Sequence, residues 1–321
     1  MRRLVSEPGC SLGGMSTRSF TIVPQGEFSL RESAVFGFGQ RVPFGQRVEG
    51  ESGAEFGGVK DFDGVMRLAF CLDGYQSQVG IEVRQDQAGV HCEVHGDGDL
   101  GAIQAQVARV LSLDYDGRGF AEVGKRDPVI GRLQRAAPGL RPPLFYSPYE
   151  AAAWAVLSAR RPAEQMALVR RDLSEAHGAS FTLAGQSVPA LPTPQQMLAI
   201  DEFPGLPSEK LHRLHGVAQA ALEGQLDVAR LRSLGPEEAM SDVQRIKGIG
   251  PFYSGLIVIR GTGFADVLPN EPMALDLVRE LYGLAVAPSP EEFETIAEPW
   301  RPFRTWAVVL IRAAAKRLQP A

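Results

Sequence analysis

Val243-Gln244-Arg245-Ile246-Lys247-Gly248-Ile249-Gly250-Pro251-Phe252-Tyr253-Ser254-Gly255-Leu256-Ile257 reads as helix, tight turn, helix. The first helix is expected to end near Lys247, and the second to start at Pro251, since proline suits the first helical position. Between them, Gly248 and Gly250 admit positive φ and let the backbone approach another molecule closely. The second helix offers unpaired N–H groups at its start, and these attract phosphate. Such a contact holds a nucleic-acid backbone without reading its sequence. A dinucleotide fingerprint is excluded, because no glycine stands three positions after Gly250 and no strand precedes the turn. Taken alone, Gly-x-Gly is equally an ordinary connection between two helices.

Outward from this stretch, the chain divides by composition. Residues 1–19 are polar and Gly-rich without periodicity and read as a disordered tail, with Met15 an alternative start. Residues 20–124 alternate as strands do, at 19–23, 80–84 and 91–95, with Asp73-Gly74 and Asp97-Gly98 as turns. Residues 100–111 carry helical spacing behind a candidate N-cap, Asp99. An antiparallel sheet with one or two packed helices follows. Beyond about 128 the pattern is helical, with expected helices at 149–157, 164–177, 195–201, 208–223, 227–234, 272–281 and 304–318. Pro189, Pro192 and Pro194 mark a link between them.

Across 321 residues, 33 basic against 38 acidic side chains leave a net charge of −5. That excludes a strongly basic nucleic-acid coat protein and a polybasic membrane binder, but not contact through one local face. No apolar run approaches the ~18 residues of a membrane span. The expectation is a cytoplasmic protein. Cys10, Cys71 and Cys92 are too few and scattered for a disulfide framework. His91, Glu93 and His95 would share one strand face, which reads as a polar surface rather than a metal site.

Further motifs follow the hairpin in order: Asp266-Val267-Leu268-Pro269, then Trp300-Arg301-Pro302-Phe303-Arg304 before the last helix. Ser147-Pro148-Tyr149-Glu150 precedes it. In this order the chain resembles the helix-hairpin-helix DNA glycosylase superfamily, most of all its AlkA-type branch, the 3-methyladenine DNA glycosylases II. The resemblance covers nearly everything after the tail. It implies an α+β fold: a sheet domain at 20–124, a helical domain at 147–264 that carries the hairpin, and a second helical subdomain from 125–146 plus 265–321 that closes the cleft. It implies base excision from double-stranded DNA in the nucleoid: a damaged, alkylated base is flipped into a pocket and its N-glycosidic bond is hydrolysed. A monomer is expected, since one protein on one flipped base needs no symmetry. No cofactor is expected beyond a structural monovalent cation, held by the backbone carbonyls of Gln244, Ile246 and Ile249.

The site residues follow by position. A Schiff-base lysine would stand two positions after Gly250; Phe252 occupies that place, so a monofunctional enzyme is expected. The resemblance also implies a catalytic aspartate shortly beyond the loop proline. Counted three residues on from Pro269, the chain has Pro272. The candidate carboxylates are therefore Glu271, which is otherwise a helix-end charge, and more weakly Asp276, otherwise a solvated helix residue. DNA contacts are expected from Gly248, Ile249, Gly250, Tyr253, Arg160, Arg161 and Arg304. Arg160 and Arg161 could equally be a solvated helix end. Phe252 and Tyr253 are candidate stacking groups, or core. Arg312 falls where an aromatic pocket residue is common, and Trp306 reads as core. The alternative function is a glycosylase fold that binds or senses DNA without releasing a base.

Overall fold

The structure, a computed structural model, describes residues 18–36, 62–269 and 271–318. Most of the expected tail, with Met15, lies outside them, and its last two residues belong to the first strand. The sheet is built from β1 (Arg18–Ile22), β2 (Met66–Cys71), β3 (Gln78–Gln85) and β4 (Val90–His95), with helix α1 (Leu30–Phe36) after β1. All pairs are antiparallel, in the order β1-β4-β3-β2. Alternation on β4 buries Val90, Cys92 and Val94 and turns His91, Glu93 and His95 outward. On that outer face His91 lies 2.7 Å from Asp86, and His95 lies 3.5 Å from Glu82. Helix α2 (Leu100–Val110) covers the inner face with Ile103, Val107 and Val110, all fully buried. Asp99 caps it, its carboxylate accepting the Ala102 amide at 2.8 Å.

The chain then forms α3 (Arg118–Arg126), α4 (Pro128–Ala136), α5 (Pro148–Ser158) and α6 (Ala163–His177). Next comes a hairpin the sequence reading did not anticipate, β5 (Ser180–Leu183) and β6 (Gln186–Pro189). It forms because Gly80 leaves β3 bare: a Cβ there would lie 2.6 Å from the Phe181 ring. Phe181 and Leu183 fill that space and extend the hydrophobic layer across the sheet. Then follow α7 (Pro194–Leu198), α8 (Ser208–Leu222), α9 (Val228–Leu234), α10 (Pro236–Val243), α11 (Pro251–Thr262), α12 (Pro272–Tyr282), α13 (Pro290–Ala297) and α14 (Arg304–Ala314).

These helices make two cores. One gathers α5, α8, α10 and α11 around Tyr149, Leu157, Leu214, Val243 and Ile257. The other gathers α4, α12, α13 and α14 around Ile130, Val278, Trp300, Trp306 and Leu310. Helix α3 adds Phe120 and Val123 to this second core, so the helix lies astride the expected boundary at 124. Trp306 is buried against Phe120 and Phe303, within 5.4 Å between ring centres. Asp127 ties the second core together. It caps α4 and accepts hydrogen bonds from Tyr282 Oη at 2.5 Å and Trp300 Nε1 at 2.8 Å.

Helix α5 is buried nearly all round, as its alanines predict. Ser147 caps its start. Glu150 is buried within it, 2.8 Å from Arg170 of α6 and in contact with the Cys71 amide. Burial outweighs Arg170 and raises this carboxyl to about 7. The folded state therefore holds this proton more tightly than the unfolded chain. The resulting stability is present below the ordinary value of 4.5 and is lost as pH rises through about 7. Urea unfolding across that window should show stability falling with pH, and Glu150→Gln should flatten the slope; an unchanged slope would contradict the assignment.

Candidate nucleic-acid interface and active site

Helix α10 stops at Val243, earlier than the expected end near Lys247. Its last turn tightens instead: Arg245 N donates to Asp242 O and Ile246 N to Val243 O, both three residues back. The chain then turns through Gly248 at φ 96°, and Ile249 N donates to Ile246 O at 3.0 Å. Ile246 and Ile249 bury their side chains in the first core, which anchors the turn and leaves its backbone outermost. Gly248 is exposed, and nothing lies within 4 Å of where a Gly250 Cβ would be. Helix α11 opens on Gly250 and Pro251 with no side chain capping its amides. Phe252 projects from its first turn, 56% exposed. Tyr253 beside it is half-buried, with its hydroxyl 3.4 Å from Ser158 Oγ on α5. The hairpin is thus joined to the end of α5.

That end is the second part of the interface. After Ser158 the chain turns through Arg160, which adopts a left-handed conformation at φ 56°, uncommon for a residue with a Cβ. Arg160 and Arg161 are both exposed. The turn is held by Lys210 of α8. Its ammonium donates to the carbonyls of Val156, Leu157 and Ala159 at 2.6, 2.8 and 3.0 Å. Partial burial, then the charges of Arg161 and Arg213, lower the Lys210 pKa. Lys247, next to Gly248, reaches Glu209 electrostatically. Basic residues therefore cluster from Arg161 past Lys210 to Lys247 at the hairpin, with Arg213 among them paired to Glu209 at 2.9 Å. Sequence reasoning missed Lys210, because its partners lie more than fifty residues earlier in the chain.

Arg304 is placed elsewhere. Expected at the DNA, its guanidinium turns to Asp266, with Nε 2.8 Å from the carboxylate and Nη2 2.8 Å from the backbone carbonyl. Arg301 also donates to that carboxylate, at 3.0 Å. Thr305 completes the clasp: its amide donates to Ala265 O at 2.9 Å, and its hydroxyl donates to Val267 O at 2.7 Å. The start of α14 thereby fixes the loop that delivers Glu271. Much of the basic run in the last helical region serves such internal pairs, with Arg317 bridging to Glu32 at 2.7 Å.

Glu271 is the N-cap residue of α12, yet its carboxylate does not cap that helix. It reaches α14 instead and accepts a hydrogen bond from Arg312 Nη1 at 2.7 Å. The two side chains are 20% and 12% exposed. Arg312 Nε is buried without a hydrogen-bond partner. Pro272 takes the first helical position and is exposed. Asp276, one turn on, is exposed as well. The structure thus brings Glu271 and Arg312 together and leaves Asp276 on the outer side of α12.

No family profile matches the chain. It is 28% identical over 188 residues to DNA-3-methyladenine glycosylase 2 of Escherichia coli, covering 57% of this chain and 63% of the relative. It is 30% identical over 122 residues to an alkylbase DNA glycosidase-like protein of Schizosaccharomyces pombe, covering 36% of this chain and 57% of the relative. The matches span less than two thirds of either relative's length. A 3-methyladenine DNA glycosylase structure from Archaeoglobus fulgidus superposes with a TM-score of 0.71 at 19% identity, covering 95% of this chain and all of that one. The fold is that of the helix-hairpin-helix glycosylases. Among the described residues, no helix is long and apolar enough to cross a membrane.

The clasp on α5 makes a direct prediction. Lys210→Met removes three charge-assisted hydrogen bonds and should cost roughly 2–3 kcal/mol in urea unfolding. It should also open the turn around Arg160 to proteolysis. Wild-type stability and cleavage in the variant would contradict the role given to Lys210.

Proposed function

We propose that this chain, helix-hairpin-helix glycosylase in fold and related in sequence to the AlkA-type 3-methyladenine DNA glycosylases, is a monofunctional DNA glycosylase of base excision repair. The observation that carries the reading is Glu271. It is a largely buried carboxylate delivered by a clasped loop on the same chain as a phosphate-ready hairpin.

The amides at the start of α11, with Gly248, Ile249 and Gly250, hold one DNA strand by its phosphates. Arg161 and the neighbouring cations add charge along that strand. Arg160, at the tip of its left-handed turn, enters the gap left when a damaged base is flipped out. Phe252 and Tyr253 offer ring faces to exposed bases. The N-glycosidic bond then breaks towards a cation-like sugar. The Glu271 carboxylate stabilises that positive charge and guides the water whose oxygen bonds to the sugar carbon, while the base leaves with its electron pair and gains a proton. Phe252 stands where a lyase would need its amine, so no covalent imine forms at that position. Alkylated purines are the substrate class that the relatives' names suggest. The carbonyls of Gln244, Ile246 and Ile249 offer the oxygen ligands a monovalent cation takes, Ile246 O with one lone pair already engaged by Ile249 N. The protein acts as a monomer on double-stranded DNA in the cytoplasm, with the nucleoid.

The ion pair with Arg312 supports a second reading, a DNA-binding protein without base release. A carboxylate already neutralised offers less charge to a cationic sugar. One experiment separates the two. Duplexes containing 3-methyladenine, 7-methylguanine or hypoxanthine are incubated with the protein and abasic sites are counted. Release is expected, with Glu271→Gln slowing it about a hundredfold or more. No release from any duplex would overturn the enzyme, and full activity in Glu271→Gln would overturn the role of Glu271.

A further inference from the structure

Helix α5 ends in a turn that ordinarily calls for glycine. Ala159 lies at φ −55° and ψ 118°, Arg160 at φ 56°, and Arg161 N donates back to Ser158 O at 3.2 Å. That is a type II turn, whose third residue has positive φ and is normally glycine or asparagine. A Cβ strains this conformation, and such strain persists only where the surroundings impose it. Among the described residues, three other non-glycines take positive φ. Tyr75 and Ser112 are buried and donate to Leu226 O and Pro142 O, and Ala184 lies in the two-residue β5–β6 turn, which requires that geometry. Arg160 differs from all three. Its side chain is exposed and makes no hydrogen bond or ion pair with the described residues, so no contact of its own stabilises the strained backbone.

Lys210 imposes it instead. The last carbonyls of α5 need partners. Ala155 O accepts from Ala159 N at 3.1 Å, Ser158 O accepts from Arg161 N, and the Lys210 ammonium serves Val156 O, Leu157 O and Ala159 O together. Turns of types I and II differ by a flip of the peptide between their two central residues, here the one that bears Ala159 O. Holding that oxygen selects positive φ at Arg160. Lys210 is the third residue of α8, where the helix dipole disfavours a cation, and Arg161 and Arg213 add like charge. A lysine there serves α8 poorly and serves the end of α5 well, because carbonyl dipoles attract it. An ammonium has three donors, and all three are engaged, so Lys210 has none left for a phosphate.

We propose that Lys210 is a positioning residue for base flipping: it holds the Arg160 turn in its strained, outward form before DNA arrives, so that Arg160 meets the opened stack without reordering. The inference rests on the glycosylase reading and on Arg160 as the residue that fills the gap, and it adds the device that readies Arg160. Once released from Lys210, the central peptide flips and Arg160 relaxes to negative φ. Only the fraction of molecules with the outward turn then engages a duplex whose stack has been vacated. An undamaged duplex offers no gap, and its binding through the hairpin is indifferent to the turn.

Equilibrium binding tests this without requiring base release. One duplex is undamaged, and the other bears a tetrahydrofuran abasic analogue, which offers the gap and has no glycosidic bond to break. Wild-type protein is expected to prefer the analogue. Lys210→Met should weaken analogue binding about tenfold, as a fall of the outward turn to about a tenth of molecules requires. Undamaged-duplex binding and the salt slope should not change, because Lys210 touches no phosphate. In an Arg160→Gly background, glycine takes positive φ without strain and no side chain fills the gap, so Lys210→Met should have no further effect on analogue binding. Lys210→Gln keeps two of the donors and should fall between; it carries the same cycle if the methionine variant does not fold. Equal weakening of both duplexes by Lys210→Met would overturn the proposal, as would the same loss with and without the Arg160 side chain. A wild-type preference for the analogue that survives Lys210→Met overturns the positioning role alone, whereas no wild-type binding to either duplex overturns the glycosylase reading and this role with it.

Discussion

Helix α11 lies directly on helix α5, and the site hangs from that contact. At Gly261 no side chain separates them: a Cβ there would lie 2.9 Å from Pro148 Cα. The carbonyls at the end of α11 are then taken by groups from three other segments. Phe145 N donates to Arg260 O at 2.9 Å, Arg109 of α2 to Gly261 O at 2.7 Å, and Arg232 of α9 to Thr262 O at 2.8 Å. Carbonyls that a helix terminus leaves open are thereby satisfied by the sheet domain and the first helical core together. Arg109 is itself held by Asp73 at 2.8 Å. A twelve-residue helix spans about 18 Å, and both of its ends matter. Its start carries the hairpin, and beyond its end the clasped loop carries Glu271. Seating α11 on α5 fixes hairpin and carboxylate relative to one another.

The charge of the molecule takes on meaning through the same geometry. A net charge of −5 does not leave the basic residues free to coat DNA. Asp266 engages Arg301 and Arg304, Glu271 engages Arg312, and Glu32 engages Arg317, so the last helical region is knit inward rather than turned to a partner. Around the hairpin, Arg160, Arg161 and Lys247 stay exposed. A DNA contact through so small a strip would involve few phosphates and depend only shallowly on salt.

Local signals carried much of this fold. Asp99 announces a helix start because a cap and the amide it serves lie within three residues. The alternation of β4 and the glycines of the hairpin are local in the same way. The features that escaped are those whose cause lies far along the chain. The β5–β6 hairpin exists because Gly80, a hundred residues earlier, leaves room for Phe181. The inward turn of Arg304 depends on Asp266, thirty-eight residues away, and the pairing of Glu271 with Arg312 spans forty-one. Charge counts along the sequence cannot show which cations are already partnered. Resemblance pointed to the neighbourhood of Pro272, but only side-chain direction separates Glu271, which reaches inward to α14, from Asp276 on the outer face.

The account stands on the Glu271 carboxylate meeting the sugar of a flipped nucleotide. A crystal structure of the protein on a duplex bearing a cationic azasugar, a mimic of the charged sugar, examines this directly. The account predicts a Glu271 oxygen within hydrogen-bonding distance of the azasugar nitrogen and the hairpin amides on a phosphate of the same strand. An azasugar bound away from Glu271, with the duplex off the hairpin, would contradict it.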